Sequence, residues 1–207
     1  MSNQLLTKVG YGQVEPNRIQ GMLQGRILAD VPVCPTDYTT LGKGVQNGVV
    51  LSWKPGGTST VNSNLKDGEL KIPVAGDTVY YLIYTDVSLH SEYLSNKDFV
   101  LTAEPGNVYV GREAAYNPHF NPTEKSQQTV VPRGIGLTVG DVFTTNMIET
   151  NNGNLPEVGT DIKLNAAGVF STAGTLSGLE AKVVQKTKMA DGQQAVKLVI
   201  TKADALS

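Results

Sequence analysis

Two alternating runs near the C-terminus, Ala181-Lys182-Val183-Val184-Gln185 and Ala195-Val196-Lys197-Leu198-Val199-Ile200-Thr201, constrain this chain more than any other feature. Their apolar and polar residues alternate with the period of a strand that buries one face. Ala190-Asp191-Gly192 between them predicts a hairpin turn, because glycine accepts the positive φ of a tight reversal. Both runs belong to a longer stretch, residues 136–202, that reads as a complete small β-module. Leu137, Val139, Val142 and Phe143 surround a Gly140-Asp141 turn. Ile162-Lys163-Leu164-Asn165 alternates, halts at Ala166-Ala167-Gly168 and resumes at Val169-Phe170-Ser171. Short strands, closely spaced turns and no long helical period leave a β-barrel or sandwich.

The upstream half is also β-rich. Residues 48–53 are strand-like and end at the Pro55-Gly56 turn. Residues 69–74 alternate, with Pro73 marking an edge or a strand end. Residues 77–87 have the highest β-propensity in the chain, and their unbroken Val-Tyr-Tyr-Leu-Ile-Tyr core predicts a strand covered on both faces. Residues 91–98 predict a short helix or turn; residues 99–102 and 108–111 predict two further strands. Residues 114–128 hold two Asn-Pro pairs in a connection well above the roughly four to six residues that are usual. A domain boundary is expected at its end.

Residues 1–45 differ from both halves. Gly10, Gly12, Pro16, Gly21, Gly25, Pro32 and Pro35 interrupt any regular element. Yet Tyr11, Val14, Ile19, Met22, Leu23 and Ile27 are too apolar for a disordered tail. An extended arm follows, one that buries alternate side chains against a partner or folds back on its own domain. Residues 25–33 can add to a sheet as one strand. The expected organisation is therefore all-β: an extended N-terminal arm over 1–45, a middle β-domain over 46–131 and a C-terminal β-barrel-like domain over 132–207, both domains small sandwiches or barrels. With the arm taken as separable, removal of residues 2–30 is expected to leave a folded remainder that no longer binds.

Composition narrows the function. The 207 residues are 40% hydrophobic, enough for a real core, and carry a formal net charge of −2. No basic tract is present, which argues against nucleic acid as a partner. Charged residues make up 17%, below the roughly 25% of ordinary soluble domains, a surface suited to packing against other proteins. No apolar run reaches the length of a membrane-spanning helix. The N-terminus has no signal-peptide core, so synthesis and folding in a cytoplasm are expected.

Chemistry-bearing constellations are weak. Cys34 lies in the arm, and His90 and His119 are the two histidines; neither spacing supports a thiolate–imidazole dyad. The glycine-rich stretch 42–48 lacks the order of a phosphate-binding loop. The Asn-rich stretch 146–161 has too few acids for a calcium loop and predicts a hairpin loop. No catalytic residue, metal or cofactor is expected. Arg18 and Arg26 sit among the apolar anchors of the arm, where a planar guanidinium suits an interface. With Tyr11, Ile19, Met22, Leu23 and Ile27 they form the expected partner-binding set.

The arm segment Gln20-Gly21-Met22-Leu23-Gln24-Gly25-Arg26-Ile27, followed by β-domains, resembles the capsid decoration (cement) proteins of tailed bacteriophages. So does the ending, through Val139-Gly140-Asp141-Val142, Ala166-Ala167-Gly168-Val169-Phe170, Gly178-Leu179-Glu180-Ala181-Lys182 and Ala195-Val196-Lys197-Leu198-Val199. The likeness lies in layout and turn pattern over the arm and the last seventy or so residues, and it carries no diagnostic motif. It implies a non-enzymatic virion structural protein on the capsid surface. The arm would add a strand to the major capsid protein, with neighbouring copies of the chain as further partners in an oligomer or lattice. A tail or fibre component, or a carbohydrate-binding β-module, is the alternative.

Overall fold

The computed structural model describes residues 3–5, 12, 14, 27–28, 45–54, 69–84, 89–91, 94–97, 100–101 and 133–203. In chain order the strands are β1 (Asn3–Leu5), β2 (Ile27–Leu28), β3 (Val45–Gln46), β4 (Val50–Lys54), β5 (Glu69–Lys71), β6 (Tyr80–Ile83), β7 (Leu89–Ser91), β8 (Leu94–Lys97), β9 (Val100–Leu101), β10 (Gly134–Gly136), β11 (Val142–Thr145), β12 (Ile148–Asn151), β13 (Asp161–Leu164), β14 (Phe170–Ser171), β15 (Leu176–Lys188) and β16 (Gln194–Ala203). No helix occurs among the described residues, and the fold is all-β. A seven-stranded sheet runs β1-β12-β14-β13-β15-β16-β11, and a five-stranded sheet runs β2-β10-β6-β4-β5. Two-stranded ribbons, β3-β9 and β7-β8, complete the set.

The β15–β16 hairpin is the backbone of the larger sheet. Gly192 takes φ +87° at its tip, and the Met189 and Gln193 main chains close the turn, with Asp191 accepting from the Gln193 N–H at 3.0 Å. Register shifts after Glu180 and Val183 mark β-bulges in β15. The consecutive valines divide by the ordinary alternation of a strand, Val183 fully buried and Val184 exposed. The outer face carries cross-strand pairs of opposite charge, Asp161 opposite Lys182 and Lys163 opposite Glu180. Exposed pairs of this kind add little, about 0–1 kcal/mol each.

One apolar cluster joins the two halves of the chain. Val50, Tyr80 and Leu82 pack with Leu137, Phe143, Phe170, Val183, Leu198 and Ile200, and Phe143 and Phe170 place their ring centroids 6.1 Å apart. Across the expected boundary at residue 131, β10 pairs with β6 through Gly134↔Ile83 to Gly136↔Tyr81. The Val50 N–H donates to the Gly168 carbonyl at 2.8 Å, tying β4 to the turn between β13 and β14.

Three expectations differ from the structure. Where a short helix or turn is expected over 91–98, the described residues 94–97 form β8, which pairs with β7. This polar run has no apolar stripe that a helix would bury, whereas strand pairing satisfies the backbone without one. The strand expected over 77–87 is confined to Tyr80–Ile83, because Asp77 closes a turn with Val74 instead, and residues 85–88 lie outside the described set. Residues 146–161 contain β12, in the interior of the seven-stranded sheet, and not only a loop. Ile148 there is completely buried. The strand expected over 108–111 also lies outside the described residues.

Candidate functional site

The N-terminal arm touches the body at three described points. β1 lies antiparallel on β12, Asn3 to Leu5 opposite Asn151 to Glu149, and caps one edge of the larger sheet. β2 lies antiparallel on β10, Leu28 opposite Gly134 and Ile27 opposite Ile135, and caps one edge of the smaller sheet. Between them Val14 makes a single antiparallel bridge to Thr145 and enters the shared core at 5% exposure.

The middle contact is a slot built by the body. One wall is the turn 46–49, whose main chain is fixed by Gly48 N–H to Ile83 O and Ile83 N–H to Val49 O, both 2.8 Å. The other wall is the chain at 145–147, where the Thr145 hydroxyl accepts the Met147 N–H at 2.9 Å and the Asn146 amide reaches Gln193 at 3.4 Å. Gln46, Asn47, Thr145, Asn146 and Met147 are all buried. Into this slot the Gly12 N–H donates to Gln46 Oε1 at 2.6 Å. A Cβ at position 12 would fall on the Asn47 carbonyl oxygen and the Met147 methyl group. Only glycine passes there, and the next residue but one, Val14, fills the apolar floor.

The expectation of an arm separable from the fold does not hold at this slot. Val14 is a core residue, and its burial is worth about 1.5–3 kcal/mol. Of the expected partner-binding residues, Ile27 lies in β2. Tyr11, Arg18, Ile19, Met22, Leu23 and Arg26 lie outside the described residues, as do Cys34 and His119. His90 falls in β7.

A second cluster escapes sequence reasoning. Asp77 accepts hydrogen bonds from Ser52 Oγ at 2.7 Å, Lys71 Nζ at 2.8 Å and the Val74 N–H at 2.8 Å. Burial pushes its carboxyl up. The hydrogen bonds from Lys71 and Ser52, the Val74 N–H and the Lys71 charge outweigh that and hold the carboxyl below the ordinary aspartate value. Such a carboxylate is a weak base, and the Ser52 hydroxyl it holds is completely buried. The arrangement staples β4, β5 and the turn 74–77 together. Its members stand 19 and 6 residues apart in sequence, so only the β4–β5 pairing of Ser52 with Lys71 brings them together.

At the far end of the hairpin, Leu155, Lys186, Thr187, Lys188 and Gln194 line a shallow open depression. Lys186 there is paired with Glu157 at 2.5 Å, so its charge is already met. No group of three or more histidine, cysteine, aspartate or glutamate side chains positioned for a metal occurs among the described residues. No protein-family model, no curated protein and no solved structure matches the chain.

Proposed function

We propose that the chain is a structural protein of a tailed-phage virion that binds the assembled capsid shell and reinforces it, with its N-terminal arm contacting the major capsid protein. The observation that carries this reading is the placement of the arm's fixed points. Val14 is locked in the core and Ile27–Leu28 is paired to β10, so the stretch 15–26 is tethered to the body at both ends. That stretch holds Arg18, Ile19, Met22, Leu23 and Arg26, the apolar and guanidinium side chains suited to an interface. Tethering lowers the ordering entropy lost on docking, and repetition over a closed shell adds avidity, so a modest contact per copy is enough. Strand addition is a mode this arm already uses at two sheet edges, and the same main-chain pairing serves recognition between chains.

Co-sedimentation with decoration-free empty shells tests the reading. The protein is expected to pellet with shells, to saturate at a fixed ratio to the major capsid protein, and to raise the temperature at which the shells come apart. Protein left in the supernatant at concentrations that saturate no site would overturn it.

A further inference from the structure

We propose that the slot at 46–48 and 145–147 is a strand-acceptor site whose second occupant is the Gly12–Val14 segment of another copy of this chain, so that copies are joined by exchanging arms. Three observations carry it. The slot is organised by the body's own bonds, Met147 N–H to Thr145, Asn146 to Gln193 and Gly48 N–H to Ile83, and none of these involves the arm. What the described residues Gly12 and Val14 supply is compact: one N–H to Gln46 Oε1, one apolar side chain on the core floor and one bridge to Thr145. The same three interactions form whichever chain supplies the segment.

The third observation is length. Residues 15–26 separate Val14 from the next anchor described, β2 on β10, a connection that reaches on the order of 40 Å when extended. That is comparable with the diameter of a folded chain of this length, so the covalent link permits delivery to an adjoining copy while β2 stays paired. Exchange of an identical element is also a low-cost route to association, because every bond an arm gives up in its own slot is remade in its neighbour's. The slot specifies its ligand by shape: a residue without a side chain where Gly12 sits, a free N–H on it, and a branched apolar residue two positions on. A neighbouring copy offers this in Gly12-Gln13-Val14.

Disulfide trapping with the full-length chain tests the exchange without any shell, so its failure is separate from failure of shell binding. Cys34→Ser removes the native thiol. On that background Val14→Cys and Thr145→Cys are made singly and together. Directly opposed residues of an antiparallel pair lie within disulfide reach. The double variant is expected to close within one chain, which checks the slot. The two single variants, co-incubated and then mildly oxidised, are expected to give a mixed disulfide dimer. Adding Gly12→Ala to the Val14→Cys chain is expected to abolish that dimer, because the new Cβ meets the Asn47 carbonyl. Closure of the double variant without any mixed dimer would overturn the exchange. So would a mixed dimer indifferent to Gly12→Ala, which would mark collision of exposed thiols, and so would a double variant that fails to close.

Discussion

Asp77 holds three donors with one carboxylate, and its shifted acidity makes stability depend on pH in a definite direction. Its folded pKa lies below the unfolded one. The contribution is therefore complete above the unfolded aspartate value and is lost as pH falls through the folded one. Asp77→Asn should cost about 1–3 kcal/mol near neutral pH, the scale for a hydrogen-bonded charge with one partner removed. Denaturant midpoints measured across the acid range should show the gap to wild type closing as pH falls; a gap that widens toward acid contradicts the assignment. The opposite sign is expected at Thr144. Its hydroxyl is buried with no hydrogen-bond partner among the described residues, and such a group costs free energy. Thr144→Val keeps the shape and should raise stability by about 1 kcal/mol. Phe143→Ala, in contact with Phe170 at the centre of the core, should cost about 3–5 kcal/mol.

At the scale of elements, the arm behaves as three anchored segments. Deleting residues 2–30 removes Val14 from the core, the Gly12 bond to Gln46, and both added edge strands. The thermal transition of the remainder is expected to fall, where a separable arm would leave it unchanged. The C-terminal elements are legible in the sequence for a simple reason. Alternation at 195–201 and the Asp191-Gly192 turn are local signals, and the hairpin they specify is built from the two longest strands described. The role of Gly12 and Val14 is not legible, since a glycine between polar and aromatic neighbours looks the same in a linker as in a buried slot. Only contact with Asn47 and Met147, far away in sequence, gives it meaning. The Ser52–Lys71–Asp77 staple is hidden likewise, because strand register and not spacing creates it. β8 escapes because a polar strand in a ribbon lacks the alternation that a half-buried strand shows.

For the whole molecule, the low share of charged residues and a net charge of −2 bear on how it would hold a partner. An electrostatic adaptor would be stripped by salt, since at about 1 M the screening length falls to about 3 Å. Main-chain pairing and apolar burial respond weakly, and apolar burial contributes about 25 cal/mol per Å2. One partner's share of a standard interface, on the order of 800 Å2, is within reach of an arm stretch that carries Ile19, Met22 and Leu23. Retention on capsid shells across a rising salt series, for wild type, Ile19→Asp and Leu23→Asp, is the most direct test of arm-mediated shell binding. Wild type should stay bound at high salt while both aspartate variants are released at every salt concentration. Release of wild type by salt alone, with the aspartate variants bound as tightly as wild type, would contradict it.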